Sequence, residues 1–310
     1  MSRVVYLNGR FVPEAEARVS IYDSALVMGD MAYEVTRTFA HRPFRLRQHL
    51  ERLWHSLEVL RIDPGVSLDE LEGLTHETLA RNLPNEAADV EWNIIHNISR
   101  GPASGFLEAF STEERRPTLA ISCFPLTQKL AALAPAYESG IDLVVPAQRA
   151  VPHDLVDTSI KTRSRWSFQL ANFQAHDRCA GSTAVLVTPD GYITEGTSAN
   201  LFVVRHGELQ TPTLRDILPG VTRAMVLELA ARLGVPHREM DLTPDDALAA
   251  DELLVCSTSI GILHARTFQG LRIAAGSAGP LTLQLRQALN EEVGLDFAAQ
   301  ARQYAQRAKG

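Results

Sequence analysis

Apolar and polar positions along the chain follow two periods, one of strands and one of helices. Val4-Val5-Tyr6-Leu7 and Arg10-Phe11-Val12 flank Asn8-Gly9, a pair that accepts the positive φ angles of a two-residue turn, which predicts a tight hairpin. From Gln48 to Ile62, Leu50, Leu53, Trp54, Leu57 and Leu60 recur at helical spacing and leave Arg47, Glu51, Arg52 and Glu58 off the apolar stripe. That spacing predicts an amphipathic helix. A second helix is predicted across Leu68 to Asn82, followed by a strand over Val90 to Arg100, where Ile94, Ile95 and Ile98 stand among polar residues. Phe124 to Pro135 mixes Pro, Thr, Gln and Lys and reads as a linker, ahead of a β-rich run from Ile141 to Pro146 and a helix from Ser164 to Arg178.

Two further hairpins are predicted downstream, one turning at Pro189-Asp190-Gly191 and one at Arg205-His206-Gly207. Leu218-Pro-Gly-Val-Thr222 then opens a helix with Val221, Ala224, Met225, Leu227, Leu229 and Leu233 as apolar positions, ended near Gly234 and Pro236. Strands outnumber parallel βαβ units, so the pattern predicts an α+β chain, and no solenoid period is present. At 310 residues the chain exceeds the usual single core, which favours two domains: residues 1–125, a linker at 126–136, and residues 137–310.

Composition changes this picture little: 45% apolar and 22% charged residues are ordinary for a folded globular protein. A net charge of −7 without a long Lys/Arg run argues against nucleic acid or an anionic membrane as partner and for small molecules. Cys123, Cys179 and Cys256 are odd in number and far apart, which indicates neither a disulfide framework nor a metal site and fits a reducing cytoplasm. The opening residues lack a signal peptide's apolar core and no apolar run approaches a membrane span, so a soluble, unprocessed chain is expected.

Several residues offer chemistry, each with a bland alternative. Lys161, at the junction of a turn and a helix, reads on position alone as a solvated helix-start lysine. Glu195, before Gly196, projects from a strand end or caps its own turn. Gly220-Val221-Thr222 at a helix start presents free N–H groups, a hydroxyl and the positive end of the helix dipole, which suit a phosphate, or is an ordinary N-terminus. Arg52 on the first helix reaches an anion or stays on the surface, and Cys256-Ser-Thr-Ser259 supplies hydroxyl donors or a plain turn.

Together these segments resemble the class IV aminotransferases, the fold type IV family of pyridoxal-5′-phosphate (PLP) enzymes that includes branched-chain and D-amino-acid aminotransferases. The resemblance runs from about Tyr6 to Leu285 and rests on the order and spacing of Gly29-Asp-Met-Ala-Tyr-Glu34, His49-Leu-Glu-Arg-Leu53, Ile160-Lys161, Glu195-Gly-Thr-Ser-Ala-Asn200, Leu218-Pro-Gly-Val-Thr-Arg223 and Ser257-Thr258-Ser259. It implies a small N-terminal α/β domain and a larger, β-rich C-terminal one with PLP between them, and an active site completed by a neighbouring subunit, hence a homodimer or a higher homo-oligomer. It makes Lys161 the catalytic Schiff-base lysine and Glu195 the partner of the pyridine nitrogen. Arg52, Val221, Thr222 and Thr258 fall at phosphate-binding positions, and Asn200, Leu218, Gly220 and Trp166 belong to the cofactor environment.

The resemblance implies a transaminase, with a branched-chain-like L-amino acid as donor and a 2-oxo acid such as 2-oxoglutarate as acceptor. A D-amino acid or (R)-amine transaminase and a PLP lyase of the aminodeoxychorismate lyase type are the alternatives. Tyr33, Arg37, Trp92 and Ser259 are the expected substrate residues. The chain departs from the family there: Trp92 and Ile94 replace a Tyr and an Arg of branched-chain enzymes, and Pro102-Ala-Ser follows Gly101 where D-amino-acid enzymes carry an Arg and a His. Trp166 stands for a Tyr near the cofactor hydroxyl, with one N–H donor and no acceptor. His96, Asn97, Arg37, Arg100, Arg163 and Arg165 remain as candidates to meet a substrate carboxylate.

Overall fold

The computed structural model describes residues 2–308, and it is an α+β protein of two compact units. The first contains the chain up to Leu126 together with Ile160–Arg165; the second contains Thr127–Ser159 and the chain from Trp166 onward.

The first unit is built on a six-stranded antiparallel sheet, ordered Arg10–Pro13, Val4–Leu7, Thr118–Pro125, Trp92–Ser99, Met31–Phe39, Arg42–Pro43. Its first hairpin forms as expected, with Asn8 at φ 48° and Gly9 at φ 88°. Helices Leu46–Leu60 and Leu68–Asn82 bury Leu50, Leu53, Leu57, Leu71 and Leu79 against Trp92, Ile94, Ile98 and Ile121. A Ser67/Glu70 capping box starts the second of these helices. Because strand side chains alternate, Trp92, Ile94, His96 and Ile98 share the buried face, while Asn93, Ile95 and Asn97 lie on the other and are half-buried.

The second unit holds a nine-stranded mixed sheet. Its middle is antiparallel, Asn200–Arg205 against Glu252–Ser257 and the latter against Gly261–Phe268. Ile141–Val144 pairs in parallel with both Gly261–Phe268 and Thr183–Val187. Its longer helices are Thr127–Ser139, Trp166–Arg178, Val221–Arg232, Pro280–Val293 and Phe297–Arg307.

The stretch expected as a linker, 126–136, is instead largely helix, Thr127–Ser139, with Pro135 inside it. Leu130, Ala134 and Tyr137 fall on one helical face and are buried, and the Tyr137 hydroxyl donates to the Ile260 carbonyl at 2.8 Å. All three cysteines are free, and burial pushes the Cys123 and Cys256 thiols up to about 12. Among the described residues no helix is long and apolar enough to cross a membrane, and no cluster of His, Cys, Asp or Glu could hold a metal ion.

Candidate active site

Ile160–Arg165 lies along the edge of strand Met31–Phe39 like a short extra strand. The Tyr33 N–H donates to the Lys161 carbonyl at 3.0 Å, the Arg163 N–H to the Met31 carbonyl at 2.9 Å, and Ala32 bridges Thr162. The Lys161 N–H donates to Ser56 Oγ on the first helix at 3.0 Å, which fixes the lysine between sheet and helix. Two residues apart on extended backbone, Lys161 and Arg163 lie on one side, and both meet the Tyr33 ring: Nζ is 4.6 Å and the guanidinium carbon 3.8 Å from its centroid. Burial lowers the Lys161 pKa from its ordinary range, and Arg52 and Arg165 lower it further against Tyr33 and Glu34. A lysine so placed gives up its proton more readily, which is what a nucleophile or base requires.

Behind it, on the helix-packed face of the sheet, Glu34 is fully buried. Arg52 donates to both of its oxygens, from Nε at 2.9 Å and Nη2 at 2.7 Å, His49 Nδ1 is 3.1 Å away, and the Val35 N–H donates at 2.8 Å. Burial pushes the Glu34 pKa up, but Arg52 and His49 outweigh it and hold the carboxyl well below its usual range. Burial lowers the His49 pKa more than Glu34 raises it. Arg52, which the apolar spacing puts off the buried stripe, is only 9% exposed in its side chain and is clamped in a bidentate pair. Glu34 and His49 carry no role in the sequence reading. Their trace there is the three-residue spacing of His49 and Arg52, which puts both on one helix face.

In the second unit, Glu195 sits in strand Ile193–Gly196 and Asn200 opens the next strand. Asn200 Nδ2 donates to Glu195 Oε2 at 3.0 Å and to the Leu218 carbonyl at 3.1 Å, so one side chain ties the carboxylate to the loop before helix Val221–Arg232. Gly220 caps that helix without a side-chain acceptor, which leaves the N–H groups of the first turn for another partner. A Cβ on Gly220 would stand 1.9 Å from Asn200 Oδ1, so only glycine fits this cradle. Val221 is half-buried and Thr222 buried at the helix start; Thr258, half-buried, and Ser259, buried, form the turn after strand Glu252–Ser257.

Several expected substrate and cofactor residues are placed otherwise. Trp92 is 0% exposed, on the helix-packed face, and belongs to the core together with Ile94; neither is assigned to substrate. His96 shares that face and lies 2.8 Å from Thr75 Oγ1, and burial lowers its pKa to about 4, so it is neutral. Arg37 is buried, its guanidinium 4.3 Å from the Phe39 ring centroid. Arg100 is held by Asp30 at 2.8 Å and by the carbonyls of Leu60 and Arg61. Trp166 is 72% exposed and stands with Leu170 and Phe173 on the outer side of its helix, so it is not assigned to the cofactor.

The sequence model of the Amino-transferase class IV family matches residues 31–268. A Methanocaldococcus jannaschii protein provisionally named a branched-chain-amino-acid aminotransferase is 31% identical over 285 residues, covering 91% of this chain and 94% of that one. A D-alanine aminotransferase of Listeria monocytogenes is 28% identical, over 93% of this chain and 96% of its own. The fold superposes with a TM-score of 0.82 on a T.th. branched-chain amino acid aminotransferase solved with pyridoxamine 5′-phosphate, at 25% identity and 95% coverage of both chains. The Lys161 and Glu195 motifs lie within the matched span, and the chain belongs to the class IV aminotransferase family.

Proposed function

We propose that the chain is a PLP-dependent transaminase that takes the amino group of an amino acid, a branched-chain L-amino acid in the first instance, and passes it to a 2-oxo acid such as 2-oxoglutarate. The observation that carries this reading is Lys161, an amine whose pKa burial and neighbouring arginines lower, in a chain whose Glu195 is aimed by Asn200 beside an uncapped helix start.

These residues fit PLP by the chemistry of their donor set. The uncapped first turn at Val221 and Thr222 and the Thr258 hydroxyl suit a phosphate dianion, Gly220 keeps the helix start free of a side chain, and Arg52 is added by the resemblance alone. Leu218 contributes through its carbonyl, which holds Asn200 in place. Bound PLP supplies an electron-withdrawing ring that takes up the electron pair of a substrate C–H bond. Glu195 would hold a proton at the pyridine nitrogen, since a carboxylate there favours the charged ring. Lys161 would hold the cofactor through its amine, and the same amine, left free of it, would carry a proton to or from the substrate α-carbon. Tyr33, beside Nζ, and the buried Ser259 are the substrate contacts of this reading, and a second subunit completes the site in a homodimer.

Lys161→Ala abolishes turnover and keeps part of the PLP affinity, because the phosphate contacts survive; activity and cofactor titration measure the two separately. The reading itself is tested by mixing the purified PLP-loaded protein with panels of L-amino acids, D-amino acids and chiral amines. Loss of the PLP absorbance with L-branched-chain substrates, and its return with 2-oxoglutarate, is the expected result. Loss with the D panel alone moves the donor to the class of the Listeria relative. Pyruvate release without an acceptor overturns transamination.

A further inference from the structure

We infer that Arg163, aimed by Asn97, is the residue that binds a carboxylate of the substrate. The assignment rests on the transaminase reading for the reaction it serves, but on its own geometry for the binding.

Of the cations available to a carboxylate, most are spent within the protein. Arg52 is clamped on Glu34 and taken by the phosphate in the reading above, Arg100 is held by Asp30 and two carbonyls, and Arg37 is buried against Phe39. Arg163 differs. It sits on the exposed part of Ile160–Arg165, and among the described residues no carboxylate of the chain lies within ion-pair reach of it. Its charge is therefore not neutralised internally.

It is nevertheless held in place. The Nε–H donates to Asn97 Oδ1 at 2.9 Å, and the guanidinium lies 3.8 Å from the Tyr33 ring centroid. Asn97 is directly opposite Tyr33 in the sheet register, and both lie on the face away from the helices. With Nε used, the two Nη groups keep their four N–H donors, the fork that matches a carboxylate in two hydrogen bonds. Stacking on Tyr33 and the Asn97 bond remove rotamer freedom before any ligand arrives, which lowers the cost of binding.

The position suits the reaction. Arg163 and Lys161 touch the same ring, so an anion at Arg163 lies beside the amine that reacts. Arg165, 6.0 Å from that ring, adds positive charge to the same region. The arrangement selects acids, amino acids and 2-oxo acids, over amines that lack a carboxylate, and it puts the carboxylate contact on the lysine-bearing segment, not on strand Trp92–Ser99.

The test is calorimetric titration of the purified holoenzyme with two unreactive acids, glutarate and 4-methylpentanoate, in wild type, Arg163→Gln, Arg163→Lys and Asn97→Ala. Arg163→Gln is expected to weaken binding about ten- to hundredfold, the scale of a lost charge-assisted hydrogen-bond pair. Arg163→Lys recovers part of the loss, and Asn97→Ala costs less than Arg163→Gln, because it removes the aim and leaves the charge. Weakening of both acids or of glutarate alone supports the assignment, the first locating the carboxylate shared by all substrates and the second the distal one. Equal affinities in wild type and Arg163→Gln, or no binding of either acid by wild type, overturn it. The PLP absorbance of the same samples reports on Lys161 separately: its absence overturns the transaminase reading whatever Arg163 binds.

Discussion

Glu34 and His96 are buried ionisable groups opposite one another on neighbouring strands, and they meet burial in opposite ways. Glu34 stays ionised because Arg52 and His49 face it, so truncating it leaves a buried guanidinium unpaired. Glu34→Ala is expected to cost about 3–5 kcal/mol of stability and to loosen Arg52, with a lower denaturant midpoint and weaker PLP binding as the two readouts. Its folded pKa lies below the unfolded one, so its contribution is present above about pH 4.3 and is lost as pH falls toward the folded value. His96 makes no hydrogen bond to a carboxylate, and the attraction of Glu34 does not offset its burial. Thr75 Oγ1 also lies 2.6 Å from the Leu71 carbonyl and donates there, so His96 Nε2 donates to Thr75 and Nδ1 is left without a hydrogen bond. A second proton would be buried and unpaired. The unfolded chain takes that proton at about 6.5 and the folded one only at about 4, so stability is full above pH 6.5 and falls as pH drops toward 4. Between pH 7.5 and pH 5 the loss is about 2 kcal/mol. His96→Gln removes that part of the slope; a urea midpoint series in which wild type and variant fall in parallel would end this account.

At the scale of elements, the second-unit site depends on how closely a helix start approaches a strand. Gly220→Ala drives a Cβ into the Asn200 side chain, which must release Glu195 and the Leu218 carbonyl. The expected outcome is a tenfold or greater loss of PLP affinity with a melting temperature within a few degrees of wild type, measured by cofactor titration and calorimetry. The glycine was legible in the sequence as a helix start, while the reason for it was not, because Asn200 is twenty residues away and only the fold brings it there. The same limit explains the other gains and losses. The Asn8-Gly9 hairpin and the helices around Leu53 and Leu71 are local patterns and fold as their periods predict. The face of strand Trp92–Ser99 is not a local property: Ile94 and Ile95 are adjacent, so apolar alternation fits either parity, and pairing with the neighbouring strands decides that Trp92 turns inward and Asn97 outward. In 126–136, Pro135 and the polar residues masked the spacing of Leu130, Ala134 and Tyr137. Glu34 was invisible as a partner of Arg52 because a strand–helix ion pair has no spacing in the chain.

At the scale of the molecule, some exposed large apolar side chains, such as Val59, Leu233 and Leu271, stand singly, and others gather in two stretches. In the first unit they are Val19, Ile21, Tyr22, Leu26, Val27 and Met28, with Tyr22 stacked on Phe106 at 5.0 Å between ring centroids. In the second they include Leu155, Val156 and the Trp166, Leu170, Phe173 stripe of one helix. Isolated exposed apolar residues need no explanation, but runs of this kind mark surfaces that another protein covers. A second copy of the chain is the occupant that the proposed homodimer supplies, and the closed symmetry of such a pair would bury each stretch twice. Sedimentation equilibrium at micromolar concentration is therefore expected to give twice the chain mass. Leu26→Glu and Phe173→Glu each place a charge where apolar contact is needed, and each should shift the equilibrium toward the monomer without lowering the melting temperature of the monomeric fraction. A wild-type protein that sediments as one chain at tens of micromolar would leave both stretches without this partner and would require the site to be complete within a single subunit.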